Sequence, residues 1–355
     1  MFPPAPQSTT PADGTALGLL SAGTVIPAHP LALTAQRRLD ERRQRALTRY
    51  YLAAGAGGVA VAVHTTQFEI REPATGLLRP VLELAAETVD KEAGRPVVKI
   101  AGACGYTAQA VAEAELAAEF GYDAVLLSPA VPGADEAGLL ERARAVGEVL
   151  PVIGFYLQDS VGGSYLSADY WRALAEIPSV VAIKTAPFDR YRTADVIAAV
   201  AASDRAEEVV LYTGNDDAIL TDLLTPYETA QGLRWFAGGL LGQWAVWTRT
   251  AVDLLAEVRA ARAGDHALMT DLLRRSPQLS EANAAVFDAR NAFRGCIAGV
   301  HEVLRRQGLL AGTWCLDPDE RLSPEQAEEI ARVAEAYPWL TDDDFVTEHR
   351  DDWLR

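Results

Sequence analysis

The run Val180-Val181-Ala182-Ile183-Lys184-Thr185 sets a lysine at the end of four apolar residues, three of them β-branched. Such a run reads as a strand buried on both faces. A buried ammonium is unfavourable unless it is paired or loses its proton. A lysine desolvated in this way is an amine nucleophile near neutral pH, able to form a Schiff base with a carbonyl compound. The bland alternative is a lysine that snorkels past the strand end into water. Other residues able to move protons or bind anions stand at comparable places: His29, the triplet His64-Thr65-Thr66, and Tyr156. Each has its ordinary reading too. A histidine or tyrosine is often a hydrogen-bonded core residue, and threonines commonly end strands.

The elements that must position these residues follow from periodicity. Apolar runs recur near 23–27, 58–63, 97–101, 124–128, 152–156, 180–184, 209–213 and 234–239. Between them lie stretches with helical spacing, such as 39–53, 108–120, 136–149 and 193–202. Strand alternating with helix implies a parallel sheet, and eight such units predict a closed (β/α)8 TIM barrel. An open dinucleotide-binding sheet would need a glycine-rich turn after a strand and before a helix. The only glycine cluster, Gly55-Ala56-Gly57-Gly58, has the opposite order and reads as a helix C-cap. The expected organisation is a flexible tail over 1–20, a barrel over 21–263, and a C-terminal helical extension and tail over 264–355. In that extension Ser323 is the expected N-cap of a helix over 324–336, and the acidic stretch 341–355 has no assigned structure.

Barrel active sites form at the C-terminal ends of the strands. There the sequence sets His29, His64-Thr65-Thr66, Cys104, Ser128, Tyr156, Lys184 and Thr213-Gly214-Asn215. Lysine, tyrosine, hydroxyls and histidine converging on one mouth make a plausible nucleophile and acid–base set.

These pieces, in this order, resemble the dihydrodipicolinate synthase / N-acetylneuraminate lyase family of class I, Schiff-base aldolases. His64-Thr65-Thr66 stands where the family has Gly-Thr-Thr, and Gly154-Phe155-Tyr156 lies on the fifth strand. Ile183-Lys184 fits the family's imine lysine, and Thr213-Gly214-Asn215-Asp216 its Ser-Gly-Asp-Asp turn. The resemblance implies that Lys184 attacks pyruvate or another 2-oxo acid and that Tyr156 relays protons. It implies that Thr65 and Thr66 hold the substrate carboxylate, with Asn215 and His29 on the substrate side. No metal or separate cofactor is called for, because the covalent imine itself is the electron sink. Three departures stand out. The family's Thr-Pro-Tyr-Tyr is Ser128-Pro129-Ala130-Val131, so a relay tyrosine is missing. The arginine five residues after the strand-five tyrosine falls at Val161. The glycine before the threonines is His64, which is expected to supply the missing acid–base function as a third catalytic residue. A divergent lyase or aldolase, with an aldehyde as second reactant, is therefore expected rather than authentic dihydrodipicolinate synthase. A catalytically impaired barrel serving as a ligand-binding or regulatory subunit is the second reading.

Composition bounds the remaining classes. The 355 residues are 49% hydrophobic, and 49 acidic against 32 basic residues give a net charge of −17. Nucleic acid and anionic membrane surfaces need concentrated positive charge, so neither is an expected partner. Three scattered cysteines show no disulfide framework or zinc spacing and fit a reducing cytoplasm. The resemblance adds the expectation of a homodimer or homotetramer.

Overall fold

The apolar runs do pair as parallel strands. A computed structural model describes residues 15–355. Strands β1 (Val25–Pro27), β2 (Gly58–Val61), β3 (Val98–Ala103), β4 (Ala124–Leu127), β5 (Val152–Leu157), β6 (Val180–Ala186) and β7 (Val210–Thr213) run in sequence around a barrel. A small hairpin, β8 (Tyr227–Thr229) and β9 (Gly232–Arg234), precedes the eighth barrel strand, β10 (Gly238–Leu241). β10 pairs with both β7 and β1, and a bridge between Ala28 and Ala60 joins β1 to β2. The eighth strand thus begins later than the run 234–239 suggests. Its first two residues are glycines because side chains there would strike the Thr24 backbone and the Trp244 ring. The strand therefore carries little of the β-branched signal that marks the others.

Helices α1 (Ala16–Ala22), α2 (Glu41–Ala54), α3 (Leu78–Glu92), α4 (Thr107–Glu119), α5 (Glu136–Gly147), α6 (Ala168–Ala175), α7 (Arg190–Ala201), α8 (Ile219–Leu224) and α9 (Thr248–Arg262) belong to the barrel. Their starts are chemically marked: Asp40, Asp135, Ser167 and Asp189 each accept an amide proton from the first turn. Gly55 closes α2 in the left-handed conformation, as a C-cap. Four further helices follow: α10 (His266–Val286), α11 (Cys296–Arg306), α12 (Gln326–Ala336) and α13 (Asp343–Trp353). Ser323 does not cap α12. Its hydroxyl donates to Asp288 instead, and Glu325 stands at the N-cap. The acidic C-terminal stretch is helix α13, whose Trp353 packs on Tyr50 of α2. Asp342, just before it, accepts bonds from Tyr50 Oη, Arg249 N and Gln307 Nε2 and so ties the last helix to the barrel.

The pleat divides the apolar residues into two cores. Ile26, Ala60, Val98, Ile100, Leu126, Ile153, Phe155 and Leu240 fill the barrel, while Val59, Val61, Val125, Tyr156 and Ile183 pack under the helices. Part of the tail expected over 1–20 lies outside the described residues. The rest, from Ala16, is helix α1, which closes the floor of the barrel with Leu20. Tyr212 Oη donates to Leu20 O at 2.7 Å and accepts from Thr24 N at 3.1 Å. Tyr212→Phe leaves Thr24 N without its partner, while Leu20 O keeps the bond from Gly23 N, at a cost of about 1–3 kcal/mol. The expected result is a lower urea midpoint at unchanged slope; an unaltered midpoint shows that the plug is not held this way.

Candidate active site

Strand register decides what faces Lys184. Phe155 of β5 and Lys184 of β6 are paired neighbours, so both side chains point into the barrel. The Lys184 ammonium nitrogen lies 4.4 Å from the centre of the Phe155 ring. Among the described residues no group hydrogen-bonds to it. Burial pushes its pKa down to about 8, partly opposed by the Asp216 carboxylate. Room for the lysine stem comes from Gly214 after β7. A Cβ there would collide with Lys184 Cε and come within 2.8 Å of Ala186 Cβ.

Two more titratable groups line the same cavity. Asp216 accepts a 2.9 Å bond from Gln243 N, yet burial raises its pKa to about 7, partly opposed by that bond and by Lys184. At neutral pH it is present both as carboxylic acid and as carboxylate. His64 opens the short turn His64–Thr66. Burial, with the Lys184 charge in support, pushes its imidazole down to about 4, so it is neutral at pH 7. The titration near pH 6.5 expected of a free histidine does not hold here.

The other expected site residues separate into those at the cavity and those behind it. Thr65 lines the cavity, but its hydroxyl donates to Ala28 O at 2.8 Å. Thr66 donates to His29 O at 2.7 Å and accepts from Val63 N. Both hydroxyl protons are therefore spent on the backbone. The turn's own bonds run from Thr66 N to Val63 O and from Gln67 N to His64 O, which leaves Thr65 N outside that ladder. Tyr156 is corrected outright. It pairs in register with Thr185, lies on the outer face, packs 4.8 Å from Trp171, and its hydroxyl meets Leu166 N. His29 is also behind the wall. Its ring nitrogens lie 2.8 Å from Pro30 O and 2.9 Å from Thr48 Oγ1, and burial pushes it down to about 4. Asn215 does not reach the cavity either. Its amide donates to Asp222 at 2.9 Å and Thr193 at 3.2 Å, and its carbonyl accepts from Phe188 N at 3.0 Å.

Sequence reasoning passed over the residues that form the mouth. Phe188 after β6, with Phe287 and Phe293 between α10 and α11 and Cys296 at the start of α11, lines a cavity of about 80 Å³ at Lys184. Phe188 and Phe293 meet edge to face at 5.9 Å. Both have left-handed backbones, φ 54° and 62°. Such conformations cost bulky residues about 1–3 kcal/mol each and persist where the surroundings enforce them. Burial keeps the Cys296 thiol protonated, so it acts as a small apolar wall. The signal for Asp216 was available in the turn after β7. The aromatic roof has no periodic signature.

The profile described as "Dihydrodipicolinate synthetase family" matches residues 22–337. The 4-hydroxy-tetrahydrodipicolinate synthase of Mycolicibacterium paratuberculosis is 28% identical over 321 residues, covering 87% of this chain and 92% of that protein. The enzyme of that name from Aromatoleum aromaticum is 36% identical over 183 residues, covering 50% of this chain and 58% of that protein. A prophage protein of the dihydrodipicolinic acid synthase family from E. coli K12, crystallised with pyruvate, superimposes with a TM-score of 0.72 at 18% identity. The superposition covers 90% of this chain and 98% of that one.

The crowding at Gly214 is testable through the lysine it accommodates. Competitive acetylation of the native protein is expected to titrate Lys184 near pH 8. Gly214→Ala pushes the stem outward, and the midpoint should climb toward the ordinary lysine value of 10.5. A midpoint unchanged in a folded variant removes Gly214 from the account.

Proposed function

The chain belongs to the dihydrodipicolinate synthetase family of class I aldolases and lyases, and on that footing we propose that Lys184 forms an imine with pyruvate or a related 2-oxo acid. One observation carries the reading: a buried amine of depressed pKa, without a hydrogen-bond partner among the described residues, in a small cavity at the barrel mouth. The neutral amine attacks C2 of the 2-oxo acid. The carbinolamine loses water, and the protonated imine draws electrons from C3. The substrate carboxylate is seated against the His64–Thr66 turn, where Thr65 N is the donor left over.

Proton transfer falls to Asp216. Its carboxylate removes a proton from C3 to give the enamine, and its acid form returns a proton to the oxygen of the bond-making partner. Phe155 faces the lysine from β5 without a hydroxyl, so the proton relay has to come from another wall. His64 stays neutral and accepts or donates a hydrogen bond beside the carbinolamine. That places it as a positioning group more than as a general acid, whose proton a pKa near 4 could not hold at pH 7. The missing tyrosine after β4 and the valine at 161 support a divergent member rather than an authentic dihydrodipicolinate synthase. A cytoplasmic homodimer or homotetramer is part of the proposal. Among the described residues no helix is long and apolar enough to cross a membrane.

Pyruvate plus borohydride should add one pyruvyl mass to Lys184. The yield at short times should rise through about pH 8 as the ammonium loses its proton. Equal labelling of Lys184→Ala would falsify the assignment. In Asp216→Asn the charge that helps retain the lysine proton is gone, so the rise moves to lower pH. Turnover should fall about 10²-fold, the scale of a lost acid–base group. Turnover within a few-fold of wild type would return the proton relay to His64. Light scattering at micromolar concentration checks the assembly, and a monomer contradicts it.

A further inference from the structure

We infer that the second reactant at this site is an uncharged aromatic aldehyde, selected by Phe188, Phe287 and Phe293. The inference rests on the imine reading, because it concerns what the Lys184-bound enamine meets. The cavity of about 80 Å³ is small for a pyruvyl unit with an aryl ring above it. A second reactant that meets the enamine meets a lining that includes the rings of Phe188, Phe287 and Phe293.

Three observations select the chemistry. Among the described residues, Lys184 and Asp216 are the charged side chains that line the cavity, and the lysine nitrogen is neutral in the enamine. At the enamine stage Asp216 carries the C3 proton and the enamine is neutral, so a second carboxylate or phosphate would enter with no cation in the lining to meet it. Two arginines outside the lining are committed elsewhere: Arg190 to Asp222, and Arg192 to Asp159. The outer walls offer phenyl rings, Leu157, Ala186 and the protonated Cys296, with Gln158 as the polar side chain at the rim. A polyhydroxylated chain finds few partners there, whereas an aryl ring exchanges water for apolar surface.

The third observation concerns the way the roof is held. Phe188 is kept in its left-handed conformation by Asn215 Oδ1, which accepts its amide proton. Phe293 ends a turn in which Asp288 and Ala292 are also left-handed. Its amide donates to Asp288 O at 3.1 Å, and the Asp288 carboxylate takes up Asn291 Nδ2 and Gly295 N. Two independently braced loops bring two rings edge to face over one lysine. An incoming aryl ring separates them and replaces the aromatic contact they lose.

The step balances without a further reactant. The enamine π pair forms the bond from C3 to the aldehyde carbon, and the carbonyl π pair moves to oxygen. That oxygen takes the proton Asp216 removed from C3. Water then hydrolyses the imine, releasing a 4-hydroxy-4-aryl-2-oxo acid and the free amine.

The full-length protein is incubated with pyruvate and either benzaldehyde, succinic semialdehyde or glyceraldehyde, and the 4-hydroxy-2-oxo acid is read by mass. Benzaldehyde is expected to show kcat/KM about 10²-fold above either alternative, the discrimination expected when a charged or polar chain is left unpaired. Phe293→Leu should narrow that ratio about 10-fold, and Phe293→Arg should raise kcat/KM for succinic semialdehyde. Borohydride trapping of pyruvate on the wild type separates the two levels. Trapping at Lys184 with equal or better use of succinic semialdehyde or glyceraldehyde overturns the aromatic assignment and leaves the imine standing, as does trapping with no turnover of benzaldehyde. Absence of trapping removes both.

Discussion

A desolvated amine against an aromatic face is the constraint the site depends on. Lys184 would remain an ordinary cation if water or a carboxylate reached it closely. The barrel buries it, and its inward side chain lies against Phe155 in place of a hydrogen-bond acceptor. The carboxylate of Asp216 is near enough to hold the lysine's pKa above what burial alone would set, yet no ion pair forms. The same burial drives the aspartate upward and the imidazole of His64 downward. Burial in one cavity thus yields an amine of lowered pKa, a carboxyl of raised pKa and a neutral imidazole.

Much of this was legible because some signals do not depend on register. A lysine ending a β-branched run is conspicuous whichever way it points. The eight-unit rhythm requires a parallel barrel, and a barrel places strand ends at one mouth. Tyr156 was misread for a physical reason. In Val152–Leu157 every residue except Gly154 is apolar or aromatic, because both faces of the strand are buried, and alternation therefore carries no polarity contrast. A slip of one residue exchanges Phe155 for Tyr156 and turns a wall into a catalyst. The same ambiguity hid Asn215 and Asp216, neighbours of which one faces the outer network and the other the cavity. His29 looks like a site residue because it follows a strand, but Thr48 and Pro30 already satisfy its ring.

The C-terminal helices were legible as helices but not as part of the site. Their role depends on long-range packing: α10 against α8 and α9, and α12 against α10 and α11. That packing delivers the 287–296 segment to a mouth made by strands far away in the chain. No local pattern announces it. The left-handed residues in this segment are not glycines, which is why turn chemistry gives no warning.

Behind β7, Thr213, Asn215, Arg190 and Tyr227 all converge on the buried carboxylate of Asp222. Burying a charge with four donors contributes little to stability compared with an apolar core of the same volume. The arrangement makes sense as positioning. Asp222 fixes the orientation of the Asn215 amide, because Nδ2 must face the carboxylate. That leaves Oδ1 directed at Phe188 N, and the bond holds a phenylalanine in a conformation it would otherwise leave. Gly214 and Asp216, the residues on either side of Asn215, are the ones that touch the lysine's cavity. One polar network therefore joins the lysine's clearance, the Asp216 carboxyl and the Phe188 ring. The turn after β7 is rigid for that reason, and the chemistry of the site and the shape of its entrance are not independent variables.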